Sequence, residues 1–358
     1  MFKWHSLLAA TLLLAAPITS CASADSPSSS EGGEGGAVTA NSRLEQVKER
    51  GTLICGVDGG IPGFSFVNES GEYSGIDVDV CRAVAAAVLG DPEAVEYRNL
   101  DSTERFTALS GGEVDMLSRN TTWTINRDTE VGLEFAPTTF YDGQGMMVRG
   151  DSNIKTLKDL AGKSVCVEAG TTTELNLTDN LREAGVEGEV EVVTFQQADP
   201  AYAAYAEGRC EGMTSDKSQL VGRRTTLPNP DNHVLMDVTM SKEPLGPVTI
   251  NNDSTWFDVV KWVTYGLIEA EELDITQDNV AEMKESEDPT IRRFLGAEGN
   301  LGEGLGLEND FMAKVIENVG NYGEIYDRNL GEGSEFKLER GQNDLWTNGG
   351  LLYSPPFR

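Results

Sequence analysis

Histidine is scarce in this 358-residue chain: there are two, and His5 falls in the N-terminal leader. With His233 the one imidazole left, zinc sites built from several histidines and the HExxH pattern are excluded, and a Ser-His-Asp triad has a single candidate base. Basic residues are thin as well. Lysine and arginine number 28 against 59 acidic residues, for a net charge of -31, which argues against nucleic acid and anionic membrane surfaces as ligands. Long apolar runs are missing: Leu7 to Ala16 is the strongest, about half the roughly 20 residues a bilayer span needs. No CxxC pair occurs. Gly162-Lys163-Ser164 looks like the end of a phosphate-binding loop, but the glycine required five residues earlier is Leu157, so there is no P-loop.

What is present begins with MFKWHSLLAATLLLAAPITSC, a weakly basic start and a short apolar core that read as a secretory signal over residues 1–20. Cys21 directly after a small residue resembles the lipobox of bacterial lipoproteins, in which that cysteine is lipidated and becomes the new N-terminus. A plain signal cut at Ala22-Ser23-Ala24 is the alternative. The Ser/Gly-rich stretch that follows, to residue 42, reads as a flexible tether. One acyl anchor holds a protein at a membrane without making it span. The expectation is an exported, lipid-anchored protein, periplasmic or on the outer face of the cytoplasmic membrane.

The remaining chain is long enough for two ordinary domains, and its 39% hydrophobic content suits sizeable cores. RLEQVKERGTLICGV reads as a short helix, a glycine stop and a buried strand, followed by a loop with Gly59, Gly60, Pro62 and Gly63 that carries Phe64 and Phe66. A helix over YSGIDVDVCRAVAAAVLG, a strand AVEYRNL and a helix within STERFTALSGGEVDM come next. The pattern recurs in TLKDLAGKSVCVEAGTTTELNL, EVEVVTF and DPAYAAYAEGRCEGMTSD. Strand–helix–strand order of this kind predicts two α/β lobes, each a mostly parallel sheet flanked by helices.

Both halves carry a cysteine in the first strand and another further on, so pairing within each half predicts disulfides Cys55–Cys81 and Cys166–Cys210. Four buried free thiols are the alternative. Ligands on open α/β sheets sit at the carboxyl ends of strands. Polar clusters fall there in both halves: SRNTTWTINR in the first, EAGTTTE and TSDKS in the second. A small molecule held between two lobes is the expectation.

In the order GIDVDVCRAVAAAVLGDP, ERFTALSGGEVDMLSRNTTWTINRD, YDGQGMMV, VCVEAGTTTELNL, SKEPLGPV, NYGEIYDRNLG and LLYSPPFR, the sequence resembles the extracytoplasmic solute-binding proteins of amino-acid ABC transporters, in their longer, general L-amino-acid-binding form. The resemblance implies a type II periplasmic-binding-protein-like fold that closes around its ligand by hinge motion. It also implies free L-amino acids as ligands and docking on an ABC permease with its ATPase, with no cofactor, no metal and no catalysis. Arg127 matches the arginine that grips the ligand α-carboxylate, and its forked donors suit that group. Asn120 and Thr122 match small polar contacts to the same carboxylate. Thr172 matches a contact at a helix start, and Asp216 the acid that pairs with the α-ammonium.

A zwitterion leaving water needs a partner for each charge. The bland readings are a solvated loop arginine for Arg127 and a helix N-cap for Asp216. Ile61 and Phe64 stand where the family lines its side-chain pocket, Phe66 reads as core, and Trp123, Tyr141 and Gln144 are further lining candidates.

The chain is expected to cross between lobes near FYDGQGMMV and return near SKEPLGPV, with Gly143, Gly145, Pro244 and Pro247 as hinge residues. That divides it into residues 43–143 with 245–358, and 144–244. WFDVVKWVTYGLIEAEEL and NDFMAKVIENVGNYGEIYDRNL read as two C-terminal helices packed on the first lobe. Two other functions stay open: a cyclohexadienyl (arogenate) dehydratase-like enzyme on the same fold, and a lipoprotein that senses a ligand without transporting it.

Overall fold

The computed structural model describes residues 42–358; the signal over 1–20, Cys21 and the tether lie outside the described residues except for Ser42. Ser42 caps helix α1 (Arg43–Arg50), accepting a hydrogen bond from the Glu45 N–H, and Gly51 closes the helix in the left-handed conformation at φ 69°. Strand β1 (Leu53–Val57) follows. The glycine-rich segment expected as a loop forms a small antiparallel sheet of β2 (Gly60–Ile61), β3 (Ser65–Val67) and β4 (Tyr73–Ser74). The Ser65 hydroxyl fixes its start, accepting from the Asp58 and Gly59 N–H groups at 3.0 and 3.3 Å.

Then come α2 (Ile76–Leu89), β5 (Val95–Asn99), α3 (Arg105–Ser110), β6 (Met116–Leu117), α4 (Ile125–Thr129), β7 (Leu133–Phe135) and β8 (Phe140–Asp142). The second lobe runs β9 (Gln144–Arg149), β10 (Ser164–Glu168), α5 (Thr172–Ala184), β11 (Glu191–Phe195), α6 (Ala198–Ala206), β12 (Gly212–Asp216), α7 (Lys217–Thr226) and β13 (His233–Leu235). The chain returns through β14 (Glu243–Leu245) and β15 (Val248–Ile250).

Two five-stranded sheets result, in the orders β5-β1-β6-β15-β7 and β11-β10-β12-β9-β13. Three strands of each are parallel, as βαβ patterning requires; the other two pair antiparallel, because β15 and β9 enter from the opposite lobe. The crossings themselves, β8 and β14, pair antiparallel with Asp142 opposite Glu243 and Phe140 opposite Leu245. Gly143 and Gly145 act there through close approach. A Cβ on Gly143 would stand 2.6 Å from the Thr239 methyl, and one on Gly145 2.9 Å from Lys217 Cγ.

Alternation along the strands divides the second lobe's core between the two faces of its sheet. Met146, Val148, Val165 and Val167 pack on one face, Met147, Cys166 and Met213 on the other. Cys55 in β1 is bonded to Cys81 in α2, and Cys166 in β10 to Cys210, with Cα separations of 6.2 and 5.7 Å. Closing loops of these lengths contributes about 3–4 kcal/mol each in the chain-entropy model.

The C-terminal region starts with α8 (Ser254–Glu272), whose buried Trp256 donates its indole N–H to the Asp115 carbonyl at 2.8 Å. Short helices α9 (Val280–Met283), α10 (Pro289–Phe294) and α11 (Leu301–Gly304) lead to α12 (Phe311–Val319), which packs on α2, and α13 (Tyr322–Asn329). The single helix expected over 309–330 is broken between α12 and α13. Gly320 sits at φ 92°, and Asn321 opens α13 with a reciprocal capping box to Glu324.

The tail reaches the lobe crossing: Asn343 Oδ1 accepts from the Tyr141 N–H at 2.6 Å, Asn343 Nδ2 donates to the Tyr141 carbonyl at 3.2 Å, and Tyr322 Oη donates to the Thr139 carbonyl at 2.6 Å. Phe357 closes edge-on against Trp262 and Phe294. No helix among the described residues is long and apolar enough to cross a membrane.

Candidate functional site

The loop after β6 is shaped by Asp77, in the first turn of α2. Its carboxylate accepts from Ser118 Oγ at 3.2 Å and from the Asn120 N–H at 2.9 Å, and Asn120 adopts φ 35°. Burial pushes the Asp77 carboxyl up to about 6. Thr124 then caps α4 by accepting from the Arg127 N–H at 3.3 Å. The Arg127 guanidinium is buried, donates to the Thr122 carbonyl at 2.7 Å and lies 5.1 Å over the Phe106 ring. It forms no ion pair among the described residues, and burial pulls its pKa down to about 10.

In the second lobe Thr171 caps α5, accepting from the Glu174 N–H at 3.1 Å, which places Thr172 at the helix start. Asp216 ends β12 and occupies the N-cap position of α7, yet its side chain does not cap. Its buried carboxyl is pushed well above the usual carboxylate range by desolvation and by Asp142 and Glu243, while Arg105 and Arg127 pull the other way.

Sequence reasoning missed two residues that join these parts. Glu243 is buried, and its Oε2 accepts from Thr122 Oγ1 at 2.6 Å and from Thr172 Oγ1 at 2.8 Å. Its other oxygen accepts from Asn176 Nδ2 at 2.9 Å and from Ser241 Oγ. The second is Arg105, at the start of α3 and only 3% exposed. Its Nη1 lies 3.4 Å from Thr121 Oγ1, its Nε has no partner, and no carboxylate pairs with it among the described residues. Burial, with Arg119 and Arg127 nearby, holds its pKa well below the ordinary arginine range.

Arg105, Asn120, Thr122, Thr172 and Asp216 line one small cavity of about 20 Å³ between the lobes, so the structure brings together four of the expected residues; Arg127 is not in that lining. The buried Asn120 Oδ1 is a second unpartnered polar atom there. Arg119 and Glu168 also border an outer cavity of about 490 Å³, set between the carboxyl ends of β1 and β5 on one lobe and of β10 on the other.

Ile61 and Phe64, expected in the side-chain pocket, are instead enclosed in the first lobe's core, Phe64 edge-on to Phe140 at 5.0 Å. The register explains the exchange. Gly60 pairs with Phe66 and Ile61 with Ser65, so strand alternation turns Gly60 and Phe66 to the outer cavity and Ile61 to the core. Trp123 is exposed and stacks on Phe135, Tyr141 is engaged by the tail, and Gln144 donates to the Thr173 carbonyl and Thr214; none lines either cavity. His233 is occupied on both nitrogens, by Tyr205 Oη and the Pro228 carbonyl, each at 3.0 Å.

Two sheets of like strand order, joined by a two-stranded crossing and facing one another with buried guanidinium and carboxyl groups, define a two-lobed type II binding protein. Residues 53–332 match the bacterial extracellular solute-binding proteins, family 3, and the chain belongs to that family. It is 50% identical over 326 residues to the general L-amino acid-binding periplasmic protein AapJ of Rhizobium johnstonii, covering 90% of this chain and 95% of the relative. To the glutamate/glutamine/aspartate/asparagine-binding protein BztA of Rhodobacter capsulatus it is 47% identical over 320 residues, 88% of this chain and 94% of the relative. A solved ABC transporter/periplasmic binding protein from Brucella ovis, with glutathione bound, superposes with a TM-score of 0.86 at 50% identity, covering 88% of this chain and 99% of that one. These relatives are solute-binding transport proteins, and this chain is a binding protein rather than an enzyme.

Proposed function

We propose that the protein captures free L-amino acids between its lobes and delivers them to an ABC permease and its ATPase, while held to the membrane by a lipid on Cys21. One observation carries the reading. Buried guanidinium groups of Arg105 and Arg127 stand on the first lobe with no carboxylate partner among the described residues, and the buried Asp216, whose carboxyl burial pushes up for want of a cation beside it, lies on the second. A zwitterion supplies both missing counter-charges at once: its carboxylate answers the arginines and its ammonium answers Asp216. Asn120 Oδ1 offers a further acceptor, and Thr122 and Thr172 border the same space from the two lobes. The names of AapJ and BztA, both amino-acid-binding proteins, support the same ligand class.

The test is calorimetric titration of the purified protein, unfolded and refolded with disulfides intact to remove carried ligand, against the twenty L-amino acids. Binding of several, lost in Arg127→Ala, is the expected outcome; binding of none by correctly refolded protein overturns the reading. Incorporation of labelled fatty acid into the protein, abolished in Cys21→Ser, tests the anchor.

A further inference from the structure

Head-group recognition leaves the outer cavity unexplained, and its charges are uneven. Asp58, Asp101, Glu104, Glu168 and Asp199 border it, against the two guanidinium groups of Arg119 and Arg223. Both cations are already engaged. Arg119, 3% exposed, donates to Asp58 Oδ2 at 2.5 Å and to the Leu100 carbonyl at 2.8 Å, and lies 3.6 Å from Glu168 across the lobes. Arg223 pairs with Asp199. Asp58 is itself fixed, its other oxygen accepting from the Gly60 N–H at 3.1 Å. By contrast Glu168 Oε1 is buried and accepts no hydrogen bond. Its one cation is Arg119 at 3.6 Å, which it shares with Asp58, so the chamber offers an acceptor without a hydrogen bond and no free cation.

From this geometry we infer that Asp58 sets the ligand class: by occupying Arg119 it makes the side-chain chamber anionic, and the protein takes amino acids with amide or cationic side chains over those with a second carboxylate. The inference rests on the amino-acid reading above. A guanidinium, ammonium or amide N–H entering the chamber meets Glu168 Oε1 and the surplus carboxylates. A second carboxylate meets like charge, which opposes its binding. Without the charge on Asp58, Arg119 would be free to receive such a carboxylate in a fork. At about 490 Å³ the chamber is within the usual size of small-molecule sites and holds a long side chain.

The experiment titrates L-alanine, L-arginine, L-glutamine and L-glutamate into the refolded protein and into Asp58→Asn and Glu168→Gln, each checked for native circular dichroism. The wild type is expected to bind arginine and glutamine on the order of tenfold more tightly than glutamate. Asp58→Asn keeps the geometry and removes the charge, and should move the arginine-to-glutamate ratio about tenfold toward glutamate; Glu168→Gln should move it the same way. A wild type that prefers glutamate, or a ratio unmoved in the folded variants, overturns the inference. If Asp58→Asn does not fold, the ratio in Glu168→Gln decides. Failure of every amino acid, alanine included, overturns the head-group reading and this inference with it, whereas alanine binding with the wrong ratio overturns this inference alone.

Discussion

Thr122 and Thr172 come from different lobes, and their hydroxyls, 3.4 Å apart, donate to the same oxygen of Glu243. A buried carboxylate on a crossing strand is thereby shared between the two halves. Glu243→Gln keeps the shape but turns an amide donor toward groups that are themselves donors, from among Thr122, Thr172, Asn176 and Ser241. The expected cost is about 1–3 kcal/mol of stability, read as a lower melting temperature by scanning calorimetry.

Arg105 should separate stability from function. An unpaired buried guanidinium is costly to the fold, so Arg105→Met is expected to leave the ligand-free melting temperature unchanged or raise it. The same change removes a cation from the inner cavity, and amino-acid affinity should fall on the order of tenfold. Calorimetric titration beside a thermal melt checks both signs. A lower melting point with unchanged affinity would make Arg105 purely structural.

The buried acids set a pH dependence. Burial raises Asp142 from 3.8 to about 6, and Asp77 likewise. The folded state then holds these protons more tightly than the unfolded chain. Their contribution favours the fold fully below the unfolded value and is lost as pH rises through about 6. Between about pH 4.5 and 7 the ligand-free wild type should lose more melting temperature than Asp142→Asn, which has no such proton to release. Equal losses in thermal melts across that window would contradict the assignment.

Gly222 in α7 lies where the second lobe meets the small β2–β4 sheet of the first: a Cβ built on it would stand 2.9 Å from the Pro62 carbonyl oxygen. Gly222→Ala should favour the helix by about 0.5–1 kcal/mol while forcing the lobes apart. The expected result is undiminished ligand-free stability with weaker amino-acid binding. Titration and small-angle scattering with saturating ligand read the two effects.

Much of this was legible beforehand because it is written in local pattern. Short apolar strands in strand–helix–strand order, glycine helix stops and the matched positions of Cys55 and Cys166 predict two similar lobes, and the Asn321–Glu324 spacing carried a capping signal that the apolar run around it hid. Glu243 was not legible. It is one acid among 59, and no local pattern says which of them folding will bury on a crossing strand. Arg105 has the same difficulty, since an arginine at a helix start reads as solvated until tertiary packing encloses it. Ile61 and Phe66 exchanged places for a different reason: a segment read as loop has no register, and register alone decided which face each side chain took.

Asn343 grips both backbone groups of Tyr141, and Tyr322 holds Thr139. In a protein whose lobes close on a ligand, this anchors one of the two crossing strands to the rigid first lobe nearly to its end. The fulcrum left to such a closure is narrow, and the second lobe is expected to swing along much the same arc whichever ligand it meets. A jaw with one path cannot adapt its bite to different side chains. Any tolerance for varied ligands must then come from the room in the outer chamber, so long and short side chains should be met at the same closure angle.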